Sequence, residues 1–169
     1  NHGSALNQLN FPGQVIITPD SKMLVADSEN DRVLVWTTFP TVSGQSADYA
    51  IPVTDYVSMG DSWPWGVWSN GEKTIITATV AETVLFWNSF PGPSTPPDVT
   101  LQSSQIGTPR SIISNGDYIM IGDENASGSC SGLNGNRSTH VFTSWPTSSK
   151  DPDACVEQWV SGVIDNGKI

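Results

Sequence analysis

Few residues in this chain could do chemistry, and their spacing narrows what they can do. Asp27, Asn30, Asp31 and Arg32 form the most polar cluster. On a loop, such a set could hold a metal or a small ligand. Turn Asp and Asn more commonly bond nearby backbone, so the favoured reading has Asp capping the turn while Arg reaches carbonyls of a neighbouring unit. Trp65 could stack on a sugar or an aromatic group, and Arg110 could hold a carboxylate. Packing or an assembly contact is the favoured alternative, with Trp63, Trp65 and Trp68 filling space. Two histidines exist, His2 near the start and His140 in a short apolar run, and they form no paired-His metal constellation. Cys130 and Cys155 are the two cysteines, and neither has a His base recognisable from spacing. A structural disulfide between them is expected, worth about 3 kcal/mol for a loop of this size. The sequons at Asn125 and Asn136 permit N-glycosylation.

The framework that positions these residues is legible in the composition. The 169 residues amount to about one domain. Only 24 are charged, against 37 Ser plus Thr and 27 Gly plus Pro. Such a chain lacks the Glu, Lys, Ala and Leu that cover long helices, while seven Trp and five Phe supply a core that disordered chains lack. A net charge of −10 with seven basic residues excludes the clustered cations that nucleic acid or anionic lipid requires. No apolar run approaches the roughly 18 residues of a membrane span. The Lys-poor, Ser/Thr-rich surface and the cysteine pair point to an extracellular or cell-surface location. The start at Asn1, without Met, reads as a processed product or an excerpt of something longer.

Internal self-similarity is the informative feature. Val33-Leu34-Val35-Trp36 followed by Phe39-Pro40 recurs as Val84-Leu85-Phe86-Trp87 with Phe90-Pro91. It recurs again as Thr139-His140-Val141-Phe142 with Trp145-Pro146. The aromatic-Pro pairs lie 51 and 55 residues apart, and an aspartate follows each, at Asp48, Asp98 and Asp153. A proline opens each unit at Pro12, Pro64 and Pro109. An apolar strand follows, then a turn, then a second strand (Met23–Ala26, Thr74–Ala78, Tyr118–Gly122). The opening strand is apolar without alternation, as expected of a strand buried on both faces. A fourth strand falls near Tyr49–Val53, Val99–Gln102 and Ala154–Trp159, with Pro52 marking it as an edge. The expected fold is therefore all-β: three four-stranded antiparallel blades of a β-propeller, at about 10–56, 60–102 and 106–160, with tails 1–9 and 161–169.

The first unit, with Asp27, Asn30 and Arg32 after its second strand, resembles the NHL-repeat type of propeller, in a subset found in bacterial exported or surface proteins. The resemblance spans about residues 10–160. It weakens in the second unit, where Ala78, Ala81 and Thr83 stand in place of Asp, Asn and Arg. The third unit keeps Asp123 and Asn136-Arg137 around an insertion. The resemblance implies that Gly13, Trp65 and Arg110, each just after an opening proline, lie near a tunnel mouth. NHL-like lyases hold a metal with tunnel-facing His, which this chain does not supply. A Ca²⁺ held by carbonyls and Asp in the tunnel has no motif behind it, and no cofactor is expected.

Propellers close with about four to eight blades, so three leave an apolar face open at each end. The expected partners are copies of the chain, or the remaining blades of a longer one, with carbohydrate as a further candidate. Blade one is expected to present Val15 and Ile17 to the partner, and blade three Ile112 and Val141. The tails 1–9 and 161–169 are expected to be tied down on something, with another subunit as one candidate. The expected function is a non-catalytic extracellular module for assembly or adhesion, with a repeating subunit of a fibre or surface structure as one form of it. The alternative is an NHL-like tunnel-site lyase or lactonase, or a binder of a small ligand or carbohydrate.

Overall fold

A computed structural model describes residues 3–130 and 137–157, and within them the fold is all-β. The first sheet comprises β1 (Pro12–Ile17), β2 (Met23–Asp27), β3 (Arg32–Trp36) and β4 (Tyr49–Pro52). The second comprises β5 (Pro64–Ser69), β6 (Thr74–Ala78), β7 (Thr83–Trp87) and β8 (Val99–Gln102). The third comprises β9 (Pro109–Ser114), β10 (Ile119–Asp123), β11 (Ser138–Phe142) and β12 (Ala154–Glu157). Each sheet is an antiparallel meander with its strands in chain order. Helical structure among the described residues is confined to 3₁₀ turns of three or four residues.

Hydroxyl, amide and carboxylate side chains hold the turns that the repeat foretells. In the second sheet, Asn70 Oδ1 accepts the Glu72 and Lys73 amides, and in the third, Asn115 Oδ1 accepts those of Asp117 and Tyr118. Gly71 and Gly116 supply the positive φ of these turns (94° and 98°). The recurring aspartates tie the third strand to the fourth. Asp48, Asp98 and Asp153 accept the amides of Thr37, Asn88 and Thr143, at 2.7, 2.7 and 2.8 Å. These residues recur because the same loop must close three times.

The three sheets lie face to face in a row, with β5 between β1 and β9. Side chains alternate across each pleat, so neighbours in sequence serve different layers. Leu24, Val33, Val35 and Ile51 meet Val67, Ile76, Leu85 and Trp87 between the first and second sheets. Ile75, Phe86 and Leu101 meet Ile112, Ile121 and Phe142 between the second and third. Every residue of β6 and β7 is buried. The opening strands approach closely enough that a Cβ on Gly66 would strike the Arg110 carbonyl. Hydroxyls latch one sheet to the next: Ser28 donates to the Pro64 carbonyl at 2.6 Å, and Thr79 to the Pro109 carbonyl at 2.7 Å.

Two expectations need correction. The opening strand is buried on both faces only in the middle of the row. Val15 and Ile17 of β1 are 56% and 53% exposed, because no described residues cover that side of them. Ile112 does not face outward. It packs against the second sheet at 2% exposure, and the outward face of the third sheet instead carries Ile113, Met120, Val141 and Val156.

The described part of the first tail rests on its own chain. Leu6 and Leu9 pack on Val25, Leu34 and Trp36, and the Ala47 amide donates to the Leu6 carbonyl at 2.8 Å. The tail 161–169 lies outside the described residues.

Candidate functional site

The polar set after β2 is an anchor. Asp27 is fully buried and accepts the Asn10 amide (2.6 Å), Asn30 Nδ2 (2.8 Å) and Arg32 Nε (2.7 Å). The remaining donors of Arg32 reach the carbonyls of Ser4, Ala5 and Gln8, and Asn30 reaches that of Gly3. Arg32 therefore holds the N-terminal segment rather than a neighbouring sheet. Asp31 points elsewhere, accepting the Ser62 and Trp63 amides at 2.9 and 2.8 Å. Burial pushes the Asp31 carboxyl up, but these donors outweigh it and hold it below the ordinary carboxylate range.

Trp65 and Arg110 do meet. The guanidinium carbon sits 5.0 Å from the Trp65 ring centre, within cation–π range. Phe11 stacks on Trp63 at 5.7 Å, and Trp63 lies 5.6 Å from Trp65, so three rings form one surface at the start of β1 and β5. Phe11 is half exposed, and Glu124 pairs with Arg110 at 2.5 Å. Arg110 Nε is buried with no acceptor among the described residues. Such a surface can stack a flat ring and present one cation and one carboxylate beside it. Phe11 and Trp63 share one place in the repeat, immediately before the opening proline, and that repetition was the available signal for them. Gly13 stands at the equivalent place in β1, where a Cβ would meet the Trp65 backbone.

A second polar centre lies inside the third sheet. His140 and Asp123 are both fully buried, with Nε2 and Oδ2 2.9 Å apart. Asp123 also accepts the amides of Gly107, Thr108 and Asn125. Burial raises its pKa, but the His140 bond and these amides lower it further than burial raises it, and the carboxyl stays below its usual range. On the other side of the ring, His140 Nδ1 lies 3.7 Å from Cys155 Sγ. Cys155 is bonded to Cys130, with Cα atoms 5.4 Å apart. Spacing alone gave Cys155 no histidine, because β11 and β12 bring the two together only through register, His140 opposite Cys155. The repeat held a clue: His140 occupies the place of Leu34 and Leu85.

Asn125 is exposed, and its side chain donates to Thr108 Oγ1 at 2.7 Å. His2 and Asn136 lie outside the described residues. No helix among the described residues is long and apolar enough to cross a membrane. No protein-family model matches the chain, and no curated protein matches it in sequence.

Proposed function

We propose that the three sheets are consecutive blades of an NHL-like β-propeller acting as a non-catalytic extracellular module for assembly or adhesion. Further sheets of the same repeat complete its ring. One observation carries this reading. Val15 is 56% exposed, whereas its equivalents Val67 and Ile112 are 0% and 2% exposed, each packed against the preceding sheet. The other end of the row matches it: Met120 and Val141 are partly exposed, and their equivalents Leu24 and Val35 are fully buried against the following sheet. The open flank of β1 and the outward face of the third sheet thus have the chemistry of the two sides of one interface. Val25, Leu34 and Trp36, on the same face of the first sheet as Val15, are covered by Leu6 and Leu9. The Cys130–Cys155 bond is compatible with an oxidising surrounding.

Sedimentation of the 169-residue chain at micromolar concentration tests the proposal. A particle of twice the chain mass, returned to monomer by V15K with I17K, is the result expected if copies close the ring. A chain that is insoluble alone but becomes a soluble monomer when further repeats are joined to it supports closure within a longer polypeptide. A stable folded monomer of the 169 residues, with Val15 open to water, would overturn the reading.

A second reading rests on the contact of Trp65 with Arg110. With Phe11 and Trp63 beside them, these residues suit a sugar or aromatic ligand carrying a carboxylate. Quenching of tryptophan fluorescence by an acidic sugar, lost in W65A, is its expected sign.

A further inference from the structure

Three departures from the repeat converge at one point in the third sheet. His140 replaces a leucine of the other two units, Cys155 stands where the fourth strands carry Ala50 and Thr100, and Cys130 lies in the insertion particular to this unit. Nothing in the packing of a sheet asks for a histidine here, since Leu34 and Leu85 serve the same place in the other two units. Yet Cys130 Sγ, Cys155 Sγ and the nearest nitrogen of His140 all lie within 4.8 Å of one another.

The orientation of the imidazole adds a second, independent observation. Asp123 accepts amide hydrogen bonds on both its oxygens, so in its contact with the ring Nε2–H of His140 is the donor, which in a neutral imidazole is the Nε2–H tautomer. That tautomer leaves Nδ1 with its lone pair, and Nδ1 is the nitrogen facing Cys155. A carboxylate that fixes one nitrogen while the other faces soft ligands is the usual support of a histidine that binds metal. The distance also fits. Ligand atoms about 2.0–2.3 Å from a tetrahedral zinc ion lie roughly 3.5–3.7 Å from each other, and Cys155 Sγ is 3.7 Å from Nδ1.

We propose that when the disulfide is opened, Cys130, His140 and Cys155 form a three-ligand site for Zn²⁺, with Asp123 as its positioning residue. A fourth position remains for water on the side of Cys155, which is less buried than Cys130 and His140. The bound form and the disulfide exclude each other, because the same two sulfurs serve both. A phosphine reductant splits the S–S bond, taking oxygen from water and being oxidised, while one proton goes to each sulfur. Zn²⁺ then displaces both thiol protons to solvent, with no change in the oxidation state of metal or sulfur.

Co²⁺ serves as the probe, in the phosphine-reduced chain and in the oxidised chain, with far-ultraviolet spectra recorded alongside. The reduced chain is expected to take up one Co²⁺, with thiolate charge-transfer bands and the strong visible bands of tetrahedral cobalt, and Zn²⁺ is expected to displace it. The oxidised chain is expected to give neither band. H140L installs the residue of the other two units and should weaken binding at least tenfold, while D123N, which removes the carboxylate charge behind Nε2, should weaken it about 10–100-fold. A reduced chain that gives no stoichiometric cobalt spectrum, folded or not, would overturn the proposal. So would H140L and D123N variants that bind as the parent does, or an oxidised chain with the same spectrum.

Discussion

Asp27 does at residue scale what a short helix cap does elsewhere: it collects donors that would otherwise be buried unpaired. Its carboxylate takes one bond each from Asn10, Asn30 and Arg32 and is itself fully shielded from water. Removing one partner of a buried ion pair leaves the other uncompensated, at a cost of about 3–5 kcal/mol. D27A is therefore expected to lower the urea midpoint by that equivalent and to free the N-terminal segment that Arg32 holds, read as protease cleavage before Asn10. Unchanged cleavage with the same loss of stability would mean that Leu6 and Leu9 hold the segment without it. The choice between ligand site and backbone anchor was open in the sequence. The cluster's chemistry is the same in both cases, and only the position of Gly3–Gln8 decides it.

At the scale of strands, the repeat was legible almost to the residue. Thr74–Ala78 and Val99–Gln102 are as expected, and Tyr118–Gly122 is displaced by one position, to Ile119–Asp123. This accuracy has a physical source: turn residues such as Asn70-Gly71 and Asn115-Gly116 specify where a strand must stop. Which strand faces were covered was not legible. Val15-Ile16-Ile17 and Val67-Trp68 are equally apolar, and apolarity reports what a strand tolerates, not what lies against it. The Asp123–His140–Cys155 line was hidden for a related reason, since it joins three strands whose register no single stretch contains. The burial gradient predicts an order of amide exchange. Hydrogens of β6 and β7 are expected to exchange last, and those of the edge strands β4 and β12 first. Mass-resolved exchange in which β4 outlasts β7 would contradict the row as described.

For the whole molecule, acid is the condition that loosens the scaffold. Asp31, Asp48, Asp123 and Asp153 all have carboxyls below their ordinary range in the folded chain. Lys150 and the Thr143 amide bring Asp153 to about 2. A lowered folded pKa means stability that is complete above the unfolded value, about 3.9, and lost as pH falls through the folded one. Asp61 runs the other way, raised by burial and by Asp31, but it is one group against four. The thermal midpoint is expected to hold between neutral pH and pH 5 and to fall from about pH 4 to pH 2, with D153N flattening the lower part. A midpoint that rises on acidification would refute this. The uncovered flank of β1 carries a consequence for cooperativity. An open row of sheets has one fewer interface than it has sheets, whereas a closed ring has as many interfaces as sheets. If each sheet is stabilised mainly by its neighbours, the final contact adds an interface without ordering any new chain. Two such rows that meet at both ends gain two interfaces at once, so half-joined pairs should be scarce, and melting should sharpen with protein concentration as well as shift.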